Sequence, residues 1–389
     1  MQPSTTYFIQ ENTNMLRNAL AIAAIGGIGS FSGTALAAVS DAEFQSLQQQ
    51  LNQMADVLEN RAAETQSGHG SAGSTTVGGY GELHYNNTDS SNEIDMHRFV
   101  IFFGHDFNER IRFWSELEVE HAQVTADGGE VSIEQAFIEF DLNANHAVRA
   151  GIILVPVGII NETHEPPTFY GVERNNVEKY IIPTTWREGG VSLTGRFGNA
   201  VSYDLAMHSG LEISASGNYA VRSGRNAVRE APAQDPAYTA RIKWTGVAGL
   251  ELGGAIQYQR DISQGTDATA GAATLLETHA IWQAGATTLR ALYASWNLDG
   301  TGPAAAGADE QTGWYIEPSY KLNSAFGVFA RQSSWDNRPN SGSNTENTQT
   351  DFGFNYWPHE DVVVKADYQL RDKAGTDDDG FNLGIGYQF

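Results

Sequence analysis

From residue 77 to the C-terminus, apolar and polar side chains alternate one by one in segment after segment. In the last segment Phe381, Leu383, Ile385, Tyr387 and Phe389 share one face of a strand, while Asn382, Gly384, Gly386 and Gln388 share the other. About sixteen such segments follow one another. They cover residues 77–86, 94–105, 110–122, 130–142, 146–154, 188–197, 200–209, 237–245, 248–260, 274–284, 286–298, 311–322, 325–335, 348–358, 361–371 and 379–389. Most have the roughly 9 to 11 residues that a tilted strand needs to cross the hydrocarbon of a bilayer. Their faces divide cleanly. Val362, Val364, Ala366, Tyr368 and Leu370 suit lipid, and Val363, Lys365, Asp367, Gln369 and Arg371 suit water; likewise Tyr238, Ala240, Ile242 and Trp244 oppose Thr239, Arg241, Lys243 and Thr245.

The connections carry a second pattern. Tight turns at residues 107–109, 143–145, 198–199, 246–247, 285, 323–324 and 358–360 alternate with longer links. Short periplasmic turns and longer external loops produce that alternation in an outer-membrane barrel. The predicted fold is therefore all-β, a transmembrane antiparallel barrel of about 16 strands over 77–389, greasy outside and wet inside. Closure leaves no unpaired backbone edge in lipid. An even strand count puts both barrel ends in the periplasm. Tyr80, Trp244, Trp314 and Trp357 are candidates either for interfacial girdles or for the lumen.

The N-terminal pattern differs. Arg17, the apolar run 19–28 and Ala35-Leu36-Ala37 predict a signal peptide over 1–37, with Met1 and Met15 both open as the start. Phe44, Leu47, Leu51, Met54 and Leu58 recur at spacings of three and four, which predicts a short periplasmic helix with a coiled-coil seam within 38–65. A few helical turns need partner chains to persist. A homotrimer would supply them. Residues 66–76, rich in Gly, Ser and Thr, read as a flexible linker.

The charge of −24 excludes nucleic acid as a partner, since phosphate would be repelled. The expected surroundings are outer-membrane lipid and lipopolysaccharide, with Asp377, Asp378 and Asp379 read as a solvated turn able to touch divalent cations there. With no cysteine there is no disulfide or thiolate site. No cofactor is expected. Glu162, His164 and Glu165 follow no standard ligand spacing, so no metal is expected, and no catalytic set emerges.

Function then rests on lumenal charge. On the third strand Arg112, Glu116, Glu118 and Glu120 share the inner face, the carboxylates at spacings near ~7 Å. Arg149, Arg196, Arg241 and Lys243 stand on a nearby wall, with Lys365 and Arg371 further round. Opposed columns would set a field across the pore. The long connection from Val155 to Arg187 carries Glu162, His164, Glu165, Glu173, Arg174, Lys179 and Arg187, and is stiffened by Pro156, Pro166, Pro167 and Pro183. It is the expected constriction, folded into the lumen.

The run Val148-Arg149-Ala150-Gly151-Ile152-Ile153-Leu154-Val155-Pro156-Val157-Gly158, with residues 161–170 and Glu188-Gly189-Gly190-Val191 after it, resembles the phosphate-selective porin O and P family. The resemblance implies a trimeric sixteen-stranded outer-membrane channel through which small solutes diffuse. It also implies selectivity from lumenal arginines and a lysine cluster, whereas this chain has only five lysines. Relatives with an N-terminal coiled coil carry other small anions, dicarboxylates included. The reading is a porin for passive diffusion of small hydrophilic solutes, anions among them; an outer-membrane barrel enzyme and an envelope-anchoring protein are the alternatives.

Overall fold

A computed structural model describes residues 73–125 and 128–389. The expected signal peptide and N-terminal helix, together with residues 66–72 of the expected linker, lie outside the described residues. Sixteen strands follow in chain order: β1 (Thr75–Thr88), β2 (Asn92–Asn108), β3 (Ile111–Thr125), β4 (Gly128–Asn143), β5 (His146–Leu154), β6 (Arg187–Phe197), β7 (Val201–His208), β8 (Ala237–Val247), β9 (Leu250–Gln259), β10 (Ala273–Ala284), β11 (Thr287–Leu298), β12 (Glu310–Asn323), β13 (Phe326–Asp336), β14 (Asn347–His359), β15 (Val362–Lys373) and β16 (Gly380–Gln388). Each pairs antiparallel with its neighbours, and β1 pairs with β16 to close the barrel. At the seam Gly79 and Phe389 exchange both backbone hydrogen bonds at 2.9 Å, so the final residue seals the wall. No described helix is long and apolar enough to cross a membrane.

The period-two faces hold. On β15 Tyr368 and Leu370 are 39 % and 45 % exposed, while Lys365 and Asp367 are 2 % and 8 % exposed. On β8 Tyr238 and Ile242 face outward and Arg241 inward. Trp244 and Trp314 lie on the outer surface, and Tyr80 is buried inside. Trp357 turns in, with its indole N–H donating to the Pro167 carbonyl.

Two expectations need correction. The links after β1 and β3 are not long loops. Both hairpins go on pairing well past the length that spans a bilayer: residues 89–91 alone separate β1 from β2, and β3 and β4 still pair at Thr125 and Gly128. The long loops fall elsewhere, at residues 155–186, 209–236, 260–272, 299–309 and 337–346. The interior is also not wet throughout. Leu275 of β10, Leu292 and Trp296 of β11 and Tyr315 of β12 point inward and are at most 3 % exposed. They pack with Val177, Ile181, Ile182 and Trp186 from the first long loop and with Leu211, Ile213 and Val221 from the second. Loops that long need apolar burial of their own to fold.

Candidate functional site

The loop 155–186 leaves β5 and returns to β6, and its neck is tied by one side chain. Asn161 donates to the carbonyls of Val155 (2.8 Å) and Trp186 (3.0 Å) and accepts from the Trp186 N–H (2.7 Å). Beyond the neck the loop touches strands all round the barrel. Glu162 pairs with Arg241 on β8, His164 meets Glu134 on β4 at 3.3 Å, and the Val172 N–H donates to Asp367 on β15 at 2.6 Å. Asn176 donates to Gln349 on β14 at 2.7 Å, and the Tyr315 hydroxyl of β12 donates to Glu178 at 2.7 Å. Only a segment inside the cylinder can reach all of those strands.

Local sequence fixes this path. Asn175 caps α1 (Asn176–Tyr180) by accepting from the Val177 N–H. Two glycines make room on the wall. A Cβ at Gly386 would lie 2.3 Å from the Pro166 side chain, and one at Gly313 would lie 2.8 Å from Val177. Burial, with Glu277 nearby, pushes the Glu178 carboxyl above its usual range despite hydrogen bonds from Ile159, Ile160 and Tyr315. Burial opposes ionisation of Glu173 too. There the His84 imidazole at 2.9 Å, joined by His97 and Lys179, outweighs burial and holds the carboxyl well below its usual range.

The second long loop braces the first. Arg222 donates to the carbonyls of Lys179 (2.6 Å) and Thr184 (2.7 Å), and Arg225 donates to those of Thr185 (2.9 Å) and Pro183 (3.3 Å). Arg174 donates to the Thr185 hydroxyl at 2.7 Å. Together with Lys179 these side chains line a cavity of about 410 Å³, opposite Glu118, Glu120, Glu130 and Glu134. A second cavity, about 440 Å³, lies toward the tight-turn end and is lined by Asp106, Arg112, Gln135, Glu139, Arg149 and Glu162 among others.

The residues singled out from sequence are distributed as follows. Glu116 and Glu118 are buried on the inner wall, with Glu118 2.9 Å from Arg98, and Glu120 lines the cavity shared with Arg174, Arg222 and Arg225. Arg112 pairs with Glu139 (2.8 Å) and Asp141 (2.6 Å), and Arg149 pairs with Glu139 (2.7 Å). Arg241 lies between Asp204 (2.6 Å) and Glu162, and Lys243 is 3.5 Å from Glu251. Arg196 is exposed beside a tight turn. Lys365 sits over the Phe169 ring, and Arg371 lies over Trp335 with Asp378 3.8 Å away. Of the loop residues, Arg187 reaches Glu134 (3.4 Å) and Glu130 (3.5 Å), whereas Glu165 has no ion-pair partner among the described residues.

Sequence reasoning passed over Arg98, Glu134, Arg222 and Arg225. Glu134 escapes strict alternation because the β3–β4 register slips beside it, so that Glu134 and Gln135 both turn inward. Arg222 and Arg225 lie in a loop with no period to read. Their spacing was the available signal.

The family model for the phosphate-selective porin O and P matches residues 76–388. The chain belongs to the phosphate-selective porin O and P family. This porin is an outer-membrane channel for passive diffusion. It is 29 % identical to an uncharacterized protein of Aquifex aeolicus over 359 residues, covering 81 % of this chain and 80 % of the relative. Among solved structures its fold is similar to an anion-selective porin from Comamonas acidovorans, at 13 % identity and TM-score 0.56 over 82 % of this chain and 100 % of the other. It is equally similar in fold to the outer-membrane channel DcaP of Acinetobacter baumannii, at 14 % identity and TM-score 0.56, over 82 % and 97 %. The trimer form of OmpT from Vibrio cholerae matches at 11 % identity and TM-score 0.56, over 82 % and 100 %.

Proposed function

We propose that this porin favours small anions and that the loop 155–186 forms its narrowest zone. One observation carries the preference. Arg174, Lys179, Arg222 and Arg225 converge on one cavity, and among the described residues none has a carboxylate within ion-pair distance. Of the five facing carboxylates, Glu118 is engaged by Arg98, Glu130 and Glu134 share Arg187, Glu173 meets His84, and Glu120 stands outside an ion pair among the described residues. With Arg98 and Arg187, six cationic side chains line the cavity against five carboxylates, a small surplus of positive charge in a chain that is strongly acidic overall. Low-dielectric walls focus that field and raise the local concentration of counter-ions. The solute class is small anions with carboxylate or phosphate-like groups, which guanidinium donors recognise.

The test is the reversal potential of the purified protein in a planar bilayer under a potassium chloride gradient. A sign reporting chloride preference, moved toward potassium by Arg174→Glu, agrees with the proposal. Potassium preference in the unaltered protein, or no movement with Arg174→Glu, overturns it.

We infer further that the porin works as a homotrimer, with an N-terminal helix in the periplasm and lipopolysaccharide around its outer rim. The trimer form of OmpT supports the first part. Deleting residues 41–60 should lower the yield of trimer while leaving the barrel folded. Unchanged trimer yield would show that the helix is not the assembling element.

A further inference from the structure

We propose that Glu116, Glu134 and His164, with Tyr80 as a fourth donor, form a binding site for a divalent transition-metal ion, zinc fitting best. The four side chains come from β3, β4, the inserted loop and β1, and none is more than 3 % exposed. The His164 Nε2 lies 3.3 Å from Glu134 Oε2 and 3.8 Å from Glu116 Oε1. The Tyr80 hydroxyl oxygen lies 3.1 Å from that same Glu116 oxygen and 3.4 Å from that same Glu134 oxygen. A tetrahedral zinc site with bonds near ~2.0 Å has ligand atoms about 3.3 Å apart. The observed separations bracket that value.

The proton inventory points the same way. His164 Nδ1 is 3.1 Å from the Asn161 carbonyl oxygen, which can only accept, so Nδ1 carries a hydrogen and Nε2 is the ring atom turned toward the two carboxylate oxygens. Nε2 and the two carboxylate oxygens thus converge on one point beside the Tyr80 hydroxyl. The outer oxygens are already occupied. Glu116 Oε2 accepts from Gln135 at 2.7 Å, and Glu134 Oε1 accepts from Arg187 at 3.4 Å. Backbone and side-chain partners of this kind orient the ligands of metal sites and fix the histidine tautomer. Nitrogen and oxygen donors with no sulfur suit zinc, cobalt or manganese rather than a soft ion. Glu134 borders one cavity and Gln135 the other, so a bound ion would staple the loop to the wall between the two halves of the lumen.

The experiment uses full-length protein folded in detergent, stripped with a chelator and titrated with zinc by equilibrium dialysis and with cobalt by visible absorption. One zinc per chain, four-coordinate cobalt bands, and a loss of affinity of more than about tenfold in His164→Ala and Glu134→Gln are expected. The exposed cluster at His359, Glu360 and Asp361 serves as the control, and His359→Ala should leave binding unchanged. No binding, or binding that survives both His164→Ala and Glu134→Gln, overturns the site and leaves a proton shared among these groups as their occupant. Heat-modifiable gel migration identifies folded variants; should His164→Ala not fold, His164→Gln takes its place with the same expected loss. Dialysis reads metal directly, so its outcome is independent of ion selectivity.

Discussion

The Lys365 ammonium lies 3.5 Å from the centroid of the Phe169 ring. Lys365 is on the barrel wall and Phe169 on the inserted loop, both nearly inaccessible. A desolvated contact of this kind contributes about 2 kcal/mol. Phe169→Ala should leave the barrel assembled and loosen the loop. The check is single-channel recording, with larger or more frequently fluctuating conductance expected than in the unaltered protein.

The wall glycines give a steric counterpart. Gly386→Ala would place a Cβ 2.3 Å from the Pro166 side chain while keeping an extended backbone that any residue adopts. The expected result is a folded barrel whose loop is displaced near Pro166. Limited proteolysis should then cut within residues 155–186, where the unaltered protein resists.

Arg241 is held by Asp204 and Glu162 together. Glu162→Gln removes one of the two negative charges and releases part of the guanidinium's field into the lumen. The reversal potential should move toward stronger anion preference. Arg149→Glu, which sets a new carboxylate beside Glu139, should move it the opposite way, and Arg196→Glu, at an exposed position by a tight turn, should move it less.

Glu178 sets a pH dependence. Its folded-state carboxyl is raised by burial, so ionising it costs more in the folded protein than in the unfolded chain. That cost is absent below the unfolded value of about 4.3 and grows as pH rises through the raised value. Gln can still accept from Ile159 and Ile160 through its carbonyl and donate to Tyr315. The difference in unfolding temperature between Glu178→Gln and the unaltered protein should be small at pH 4 and favour the variant at pH 8. Glu173, held in the opposite direction, contributes to both proteins alike and cancels in that difference.

The wall was legible because a strand has a period of two and lipid enforces it. Tyr368 against Lys365, or Ile242 against Arg241, could be assigned by counting. Where pairing departs from the period, counting fails, as at Glu134, and a hairpin that outruns the bilayer, as β1 and β2 do, hides its short turn. The inserted position of residues 155–186 was readable from length and prolines. Its partners were not, because the contact between His164 and Glu134, or between Val172 and Asp367, depends on closure of the whole barrel. Gly386 left a trace: glycine on the watery face of a strand marks where something approaches closely.

The most direct test of a sealed wall around a narrowed aqueous path is single-channel current through purified, folded protein in a planar bilayer. Discrete steps whose size rises with salt concentration are the expected result. A folded, membrane-inserted protein that passes no current at any applied voltage would contradict the account.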